Sequence, residues 1–276
     1  MRLFTRTMAL AGLLALSAPV LAQDQGAPPP AAAADKMAQL RAQAARILFW
    51  TDDERNQNFR SMETIFPGID VGPSATPRAL PNGAPLAVDE AKIRAFMDDN
   101  DMAGLIVIQD GQVRFEHYAL GFSADQRWTS FSVAKSFTST LMGAAVKDGA
   151  IASLDDPVTK YVPELAGSAY DGVSVRQVLT MTSGVKWNED YTDPNSDVVQ
   201  AGIASAPPGQ NPLVAYLAKL PREAEPGSKW VYKTGETGLA GIIVERATGK
   251  HLADYAADKI VGPAGFEGKL FWMMDT

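Results

Sequence analysis

The chain reads as an α+β protein in which an antiparallel sheet meets a long, mainly helical centre. Three observations predict this. Two β-rich runs, Leu105 to Gln109 and Gln112 to Tyr118, flank Asp110-Gly111, a pair that favours a type I′ hairpin turn. Directly afterwards Val133, Ala134, Phe137, Leu141, Ala144 and Ala145 recur at helical spacing and predict a helix over 132–147, closed by Asp148-Gly149. Later, Leu239, Ile242, Ile243 and Val244 mark a strongly apolar helix over 237–248, and no internal repeat is present.

In chain order, Arg2 and Arg6 precede an apolar run from Met8 to Leu16, and Val20-Leu21-Ala22 offers a small-residue ending, so 1–22 is expected to be a cleaved export signal. The protein is then periplasmic or secreted. That run is too short to span a bilayer comfortably and no later stretch reaches transmembrane length, so no membrane anchor is expected after cleavage. An Ala/Pro-rich linker covers 23–35. Residues 36–87 form an N-terminal extension, with a helix over 36–50 and then Phe59, Met62, Ile65 and Phe66 among Gly and Pro, a segment expected to wrap the main domain at 88–276. A helix with a charged outer face is predicted over 88–99, and further short helices over 175–181, 213–220 and 251–260. Residues 182–198 make a polar loop that carries Trp187 and Tyr191.

Composition narrows the function classes. The formal net charge is −7, and losing Arg2 and Arg6 with the signal leaves 23 basic against 32 acidic side chains, a balance of −9 that argues against nucleic acid as a partner. With no cysteine, the chain has neither disulfides nor a thiol to lipidate.

The stretch most suited to chemistry is Ser132-Val133-Ala134-Lys135, since residues three apart lie on one helix face, one turn from each other. A nucleophile and its base become neighbours. At the start of a helix the Ser132 amide lacks an intrahelical partner and can donate to an oxyanion. The positive helix end and partial burial also disfavour an ammonium, so the Lys135 amine is expected to accept the serine proton near neutral pH. The bare pattern is weak, and it occurs twice. The second copy, Ser183-Gly184-Val185-Lys186, follows a helix rather than opening one, so Ser132 is preferred.

In order, Ser132-Val-Ala-Lys135, Leu154-Asp155-Asp156-Pro157, Leu179-Thr-Met-Thr-Ser183-Gly184 and Pro226-Gly227-Ser228 leading to Tyr232 resemble the serine β-lactamase and penicillin-binding superfamily. Within it the chain is similar to the class C-related branch, closest to 6-aminohexanoate-dimer hydrolase-like serine hydrolases, through Met181-Thr-Ser-Gly-Val-Lys-Trp-Asn-Glu-Asp-Tyr191. The resemblance covers about residues 45 to 274. It implies an α/β sandwich, an antiparallel sheet with helices on both sides plus an all-helical subdomain. It also implies that Ser132 attacks a carbonyl, that Lys135 assists, and that Tyr232 relays a proton to the leaving group; no cofactor or metal is implied. The substrate is then a small-molecule amide, ester or β-lactam. Tyr191 either contacts bound amide, as in nylon-oligomer hydrolases, or packs on the rim as a loop aromatic. Trp187 either lines the cleft or is buried.

The chain departs from the family pattern in two places. Lys233-Thr234-Gly235 spells the motif that the family carries on a late strand, but Glu236 onward reads as helix, so Tyr232-Lys233-Thr234 is assigned to the second motif with Thr234 in place of the usual asparagine. Threonine still donates one hydrogen bond. In the family, a segment like Phe271 to Asp275 is followed by strands that bring a third motif and a second oxyanion amide. The expectation is therefore a truncated C-terminus, an incomplete sheet and little or no turnover. A non-catalytic penicillin-recognising sensor, or an inactive truncated homologue, is the alternative, and acyl release separates it from a hydrolase. A Ser-His-Asp hydrolase fits poorly, because the chain has only His117 and His251 and no Gly-x-Ser-x-Gly elbow; two isolated histidines fit a zinc hydrolase no better. Asp155 and Asp156 invite comparison with a glycosidase pair, although turn and capping duty beside Pro157 is the ordinary explanation.

Overall fold

The computed structural model describes residues 46–274. The expected signal 1–22, the linker 23–35, most of the helix predicted over 36–50 and the last two residues lie outside the described residues. Two helical segments, α1 (Asp52–Asn58) and α2 (Met62–Ile65), lead into strand β1 (Gly68–Val71). Helix α3 (Glu90–Asp99) starts at Asp89, whose side chain accepts from the Ala91 amide. The predicted hairpin forms as β2 (Gly104–Gln109) and β3 (Gln112–Tyr118), antiparallel, with a shift in register between Val107 and Ile108. Asp110 and Gly111 both have positive φ, 53° and 74°, as a type I′ turn requires.

After a 3-10 turn at Phe131–Val133 the chain enters α4 (Ala134–Lys147). A capping box between Ser174 and Gln177 opens α5 (Val175–Leu179), which is followed by α6 (Asp197–Gly202) and α7 (Pro212–Leu217). The apolar helix α8 (Thr234–Thr248) begins three residues earlier than its hydrophobic periodicity predicts and ends at left-handed Gly249. Lys233-Thr234-Gly235 therefore leads into a helix and is not a strand motif. The helix predicted over 251–260 is shorter, α9 (Leu252–Ala256), and gives way to a π-helical turn and then α10 (Gly262–Ala264).

The strands depart from a single sheet. Among the described residues they form two separate two-stranded antiparallel pairs, β2 with β3 and β1 with the late strand β4 (Leu270–Met273). The second pair ties the N-terminal extension to the far end of the chain, and Val71 is buried against Ala253 and Val261. The main core lies in the helical part. Leu239 and Ile243 of α8, Leu141 and Ala145 of α4, and Val158, Leu165 and Val173 of the connecting loops are all fully buried. Helix α4 is thus clamped on its apolar face by α8, which places the residues at its start on a rigid support. No helix among the described residues is long and apolar enough to cross a membrane.

Candidate active site

Ser132 sits in the 3-10 turn that feeds α4, and Lys135 in the first turn of that helix. The Lys135 Nζ lies 3.0 Å from the Ser132 Oγ, and the Tyr232 hydroxyl, from a hundred residues downstream, lies 3.0 Å from the same oxygen. Lys135 Nζ also stands 4.9 Å from the centre of the Tyr232 ring. The three side chains named from sequence as reacting groups are thus brought together on an open surface, with Ser132 exposed. Burial pushes the Tyr232 phenol up, but its contacts with Lys135 and Ser132 and the Lys135 charge outweigh that and hold it below the usual tyrosine value.

Local backbone aims the serine. Phe131 has φ +43°, a left-handed conformation that a bulky side chain rarely adopts, and its ring packs edge-on to Phe59 at 5.0 Å. The N-terminal extension therefore braces the residue next to Ser132, and the Phe59 carbonyl also accepts from the Thr129 amide. Tyr232 is braced as well. Its neighbours Val231 and Lys233 donate backbone N–H groups to the Met181 carbonyl and sulfur, at 3.1 Å and 3.4 Å, and Met181 is itself left-handed.

The predicted binding residues gather on a side chain that the sequence reading did not single out, Glu189. Its Oε1 accepts from the Tyr191 hydroxyl at 2.7 Å and from the Thr234 hydroxyl, and its Oε2 accepts from the Thr234 backbone N–H at 2.9 Å and from Trp187 Nε1. Tyr191 is 40% exposed and stands at the rim, 3.3 Å from the Thr234 Oγ1. Trp187 is only 6% exposed and lies against Gly235, so it backs the wall instead of facing a ligand. A side chain at Gly235 would come within 2.7 Å of that indole. A signal for Glu189 does exist in the sequence. Trp187, Glu189 and Tyr191 alternate, the spacing that puts side chains of an extended segment on one face. Burial raises the Tyr191 phenol to about 12, with Thr234 opposing and Glu189 adding to the rise.

The second Ser-x-x-Lys pair comes apart. Ser183 is fully buried and bonds a lysine, but that lysine is Lys233, at 2.9 Å, while Lys186 is exposed. Lys233 in turn pairs with buried Glu236 at 3.5 Å, and the Tyr170 hydroxyl donates to the same carboxylate at 3.4 Å. A cavity of about 210 Å³ opens between α4, α5 and α8, with Lys135 and Glu236 in its wall and neither Ser132 nor Tyr232 in its lining. Asp156 serves Lys160, Tyr161 and the Ser153 amide, and Asp155 pairs with Arg176, so both carboxylates do turn and bridging work. His117 contacts Arg94, and His251 stands at the start of α9.

The family model described as Beta-lactamase matches residues 90–269. The chain belongs to the beta-lactamase family. Among relatives, the 6-aminohexanoate-dimer hydrolase of Paenarthrobacter ureafaciens is 40% identical over 149 residues, covering 52% of this chain and 38% of that protein. A beta-lactamase of Pseudomonas fluorescens is 24% identical over 175 residues, covering 59% of this chain and 44% of that protein. The match thus spans less than half the length of either relative. The solved structure of a provisionally named 6-aminohexanoate-dimer hydrolase from Bacillus anthracis shares the fold, with a TM-score of 0.67 at 22% identity over 80% of this chain and 62% of that one. In this family setting the mixed architecture, with substantial helices and small antiparallel sheets, is that of a beta-lactamase fold.

Proposed function

We propose that this chain is the acylating part of an exported serine hydrolase that cleaves amide or ester bonds, β-lactams included, through an acyl-enzyme on Ser132. The observation that carries this reading is the pair of 3.0 Å contacts at the Ser132 Oγ, one to the Lys135 amine and one to the Tyr232 hydroxyl. As the Ser132 oxygen bonds to the substrate carbonyl carbon, its proton passes to this amine–phenol pair. The amide of Ser132, at the helix entry, donates to the carbonyl oxygen as negative charge builds there. Collapse of the tetrahedral species then breaks the bond to the leaving group, which takes the proton back through Tyr232. A phenol held below its usual value by its contacts with Lys135 and Ser132 suits that exchange. Water attacking the same carbonyl releases the acid and restores the serine.

The relatives' names span an amide hydrolase and a beta-lactamase, which supports an acyl-transfer reading without selecting one carbonyl class. The expected signal 1–22 supports a periplasmic or secreted location. Exposure to a fluorescent penicillin is expected to label the protein covalently; loss of that label with time after free penicillin is removed marks a hydrolase, whereas a label that stays marks a penicillin-recognising receptor. Undiminished labelling of Ser132→Ala would remove the proposed nucleophile.

A further inference from the structure

The carboxylate of Glu189 is saturated. Two acceptor sites on each oxygen make four, and four donors fill them: the Trp187 indole, the Thr234 backbone N–H, the Thr234 hydroxyl and the Tyr191 hydroxyl. Two of these donors belong to the residue that opens α8, a helix of 15 residues whose own N-cap, Lys233, makes no side-chain cap. Glu189 therefore caps that helix from a separate loop, where an anion is favoured by the helix dipole as well as by the free N–H. Tyr232 lies two residues upstream of that capped turn. The other two donors belong to the aromatic loop, one at the rim and one in the wall behind it.

We propose that Glu189 is the positioning residue of this site, holding the Tyr232 segment in register with Ser132 and orienting the Tyr191 hydroxyl at the rim through one carboxylate. This rests on the reading of Ser132, Lys135 and Tyr232 as the reacting groups. Glu189 acts through Thr234 and Tyr191; it has no contact with Ser132. Because the carboxylate takes the protons of both hydroxyls, the Tyr191 and Thr234 oxygens meet a ligand as acceptors. An amide in place of the carboxylate cannot serve four donors, since its NH₂ accepts none. Glu189→Gln thus opens half of the clamp while keeping its volume.

The test follows fluorophosphonate labelling of the whole chain, Glu189→Gln and Ser132→Ala across a pH series. Glu189→Gln is expected to label on the same serine, about ten- to a hundredfold more slowly, as for a reacting group displaced by a fraction of an ångström. The limb of its rate profile set by the Tyr232 phenol is expected to move to lower pH, because a charge that opposes ionisation of that phenol has gone. A loosened fold slows the reaction without moving that limb. Wild-type rate and profile in Glu189→Gln, with Ser132→Ala unlabelled, overturn the positioning role alone; label retained by Ser132→Ala overturns the reading on which it rests. Should Glu189→Gln fail to fold, Thr234→Val and Tyr191→Phe decide, each withdrawing one donor and expected to slow labelling about two- to tenfold. Wild-type rates in both overturn the proposal.

Discussion

Two serine–lysine contacts of almost equal length flank Tyr232, one at its hydroxyl and one at its sequence neighbour Lys233, and on the proposed reading they do opposite work. Ser132 and Lys135 meet at 3.0 Å on an open surface with a phenol as third partner. Ser183 and Lys233 meet at 2.9 Å with the lysine 1% exposed and a carboxylate beside it. The difference teaches that an amine next to a hydroxyl is not by itself a catalytic pair. Access and the third partner decide. A buried ammonium is tolerable when a carboxylate and a hydroxyl satisfy it, and that pairing holds it in structural service. At the open pair no carboxylate among the described residues bonds the amine, and Ser132 is exposed.

This contrast can be broken at either end. The largest effect is expected from Tyr232→Phe, which removes the phenol from the open pair and should slow acylation of Ser132 by about 10²–10⁴-fold with the unfolding transition almost unmoved. Stopped-flow acylation and thermal unfolding measured together check this. Lys233→Ala should do the reverse. It leaves Glu236 buried without its partner and is expected to cost about 3–5 kcal/mol of stability, read from urea unfolding. Were Lys233→Ala as stable as the parent chain, the closed pair would not be structural.

A smaller effect sharpens the comparison through pH. Burial raises the Glu236 carboxyl to about 7, against the pull of Ser183, Lys233 and Tyr170, and its Oε2 has no hydrogen-bond partner among the described residues. The folded chain holds this proton more tightly than the unfolded one. Stability from this group is therefore complete below the ordinary carboxylate value and is lost as pH rises through about 7. Urea midpoints should fall between about pH 5 and pH 8, and Glu236→Gln should flatten that slope. An equal slope in the variant would assign the pH dependence to other groups.

Much of the site was legible because its chemistry is local. Ser132 and Lys135 are one helical turn apart, and the hairpin before them is announced by Asp110-Gly111. Tyr232 followed from the order of motifs. What stayed hidden depends on contacts between distant segments. The strand Gly68–Val71 lies between Pro67 and Pro73 and has too few residues to show a period; it becomes a strand by pairing with Leu270–Met273. Lys233 reads as a surface lysine until Ser183 and Glu236 are seen to enclose it. Hydrophobic periodicity puts the start of α8 three residues late because Thr234 and Gly235 are poor helix formers, and the capping carboxylate that rescues that turn comes from a loop 45 residues earlier. Trp187 is buried for a related reason, since Gly235 leaves the space its ring fills.

The most direct test of the contrast is to locate the adduct. After brief exposure to a fluorophosphonate, peptide mass spectrometry is expected to find the phosphonyl group on Ser132 in the parent chain and in Ser183→Ala, and nowhere in Ser132→Ala. An adduct on Ser183, or none on Ser132 while the chain remains folded, would contradict the assignment of the open pair as the reacting one.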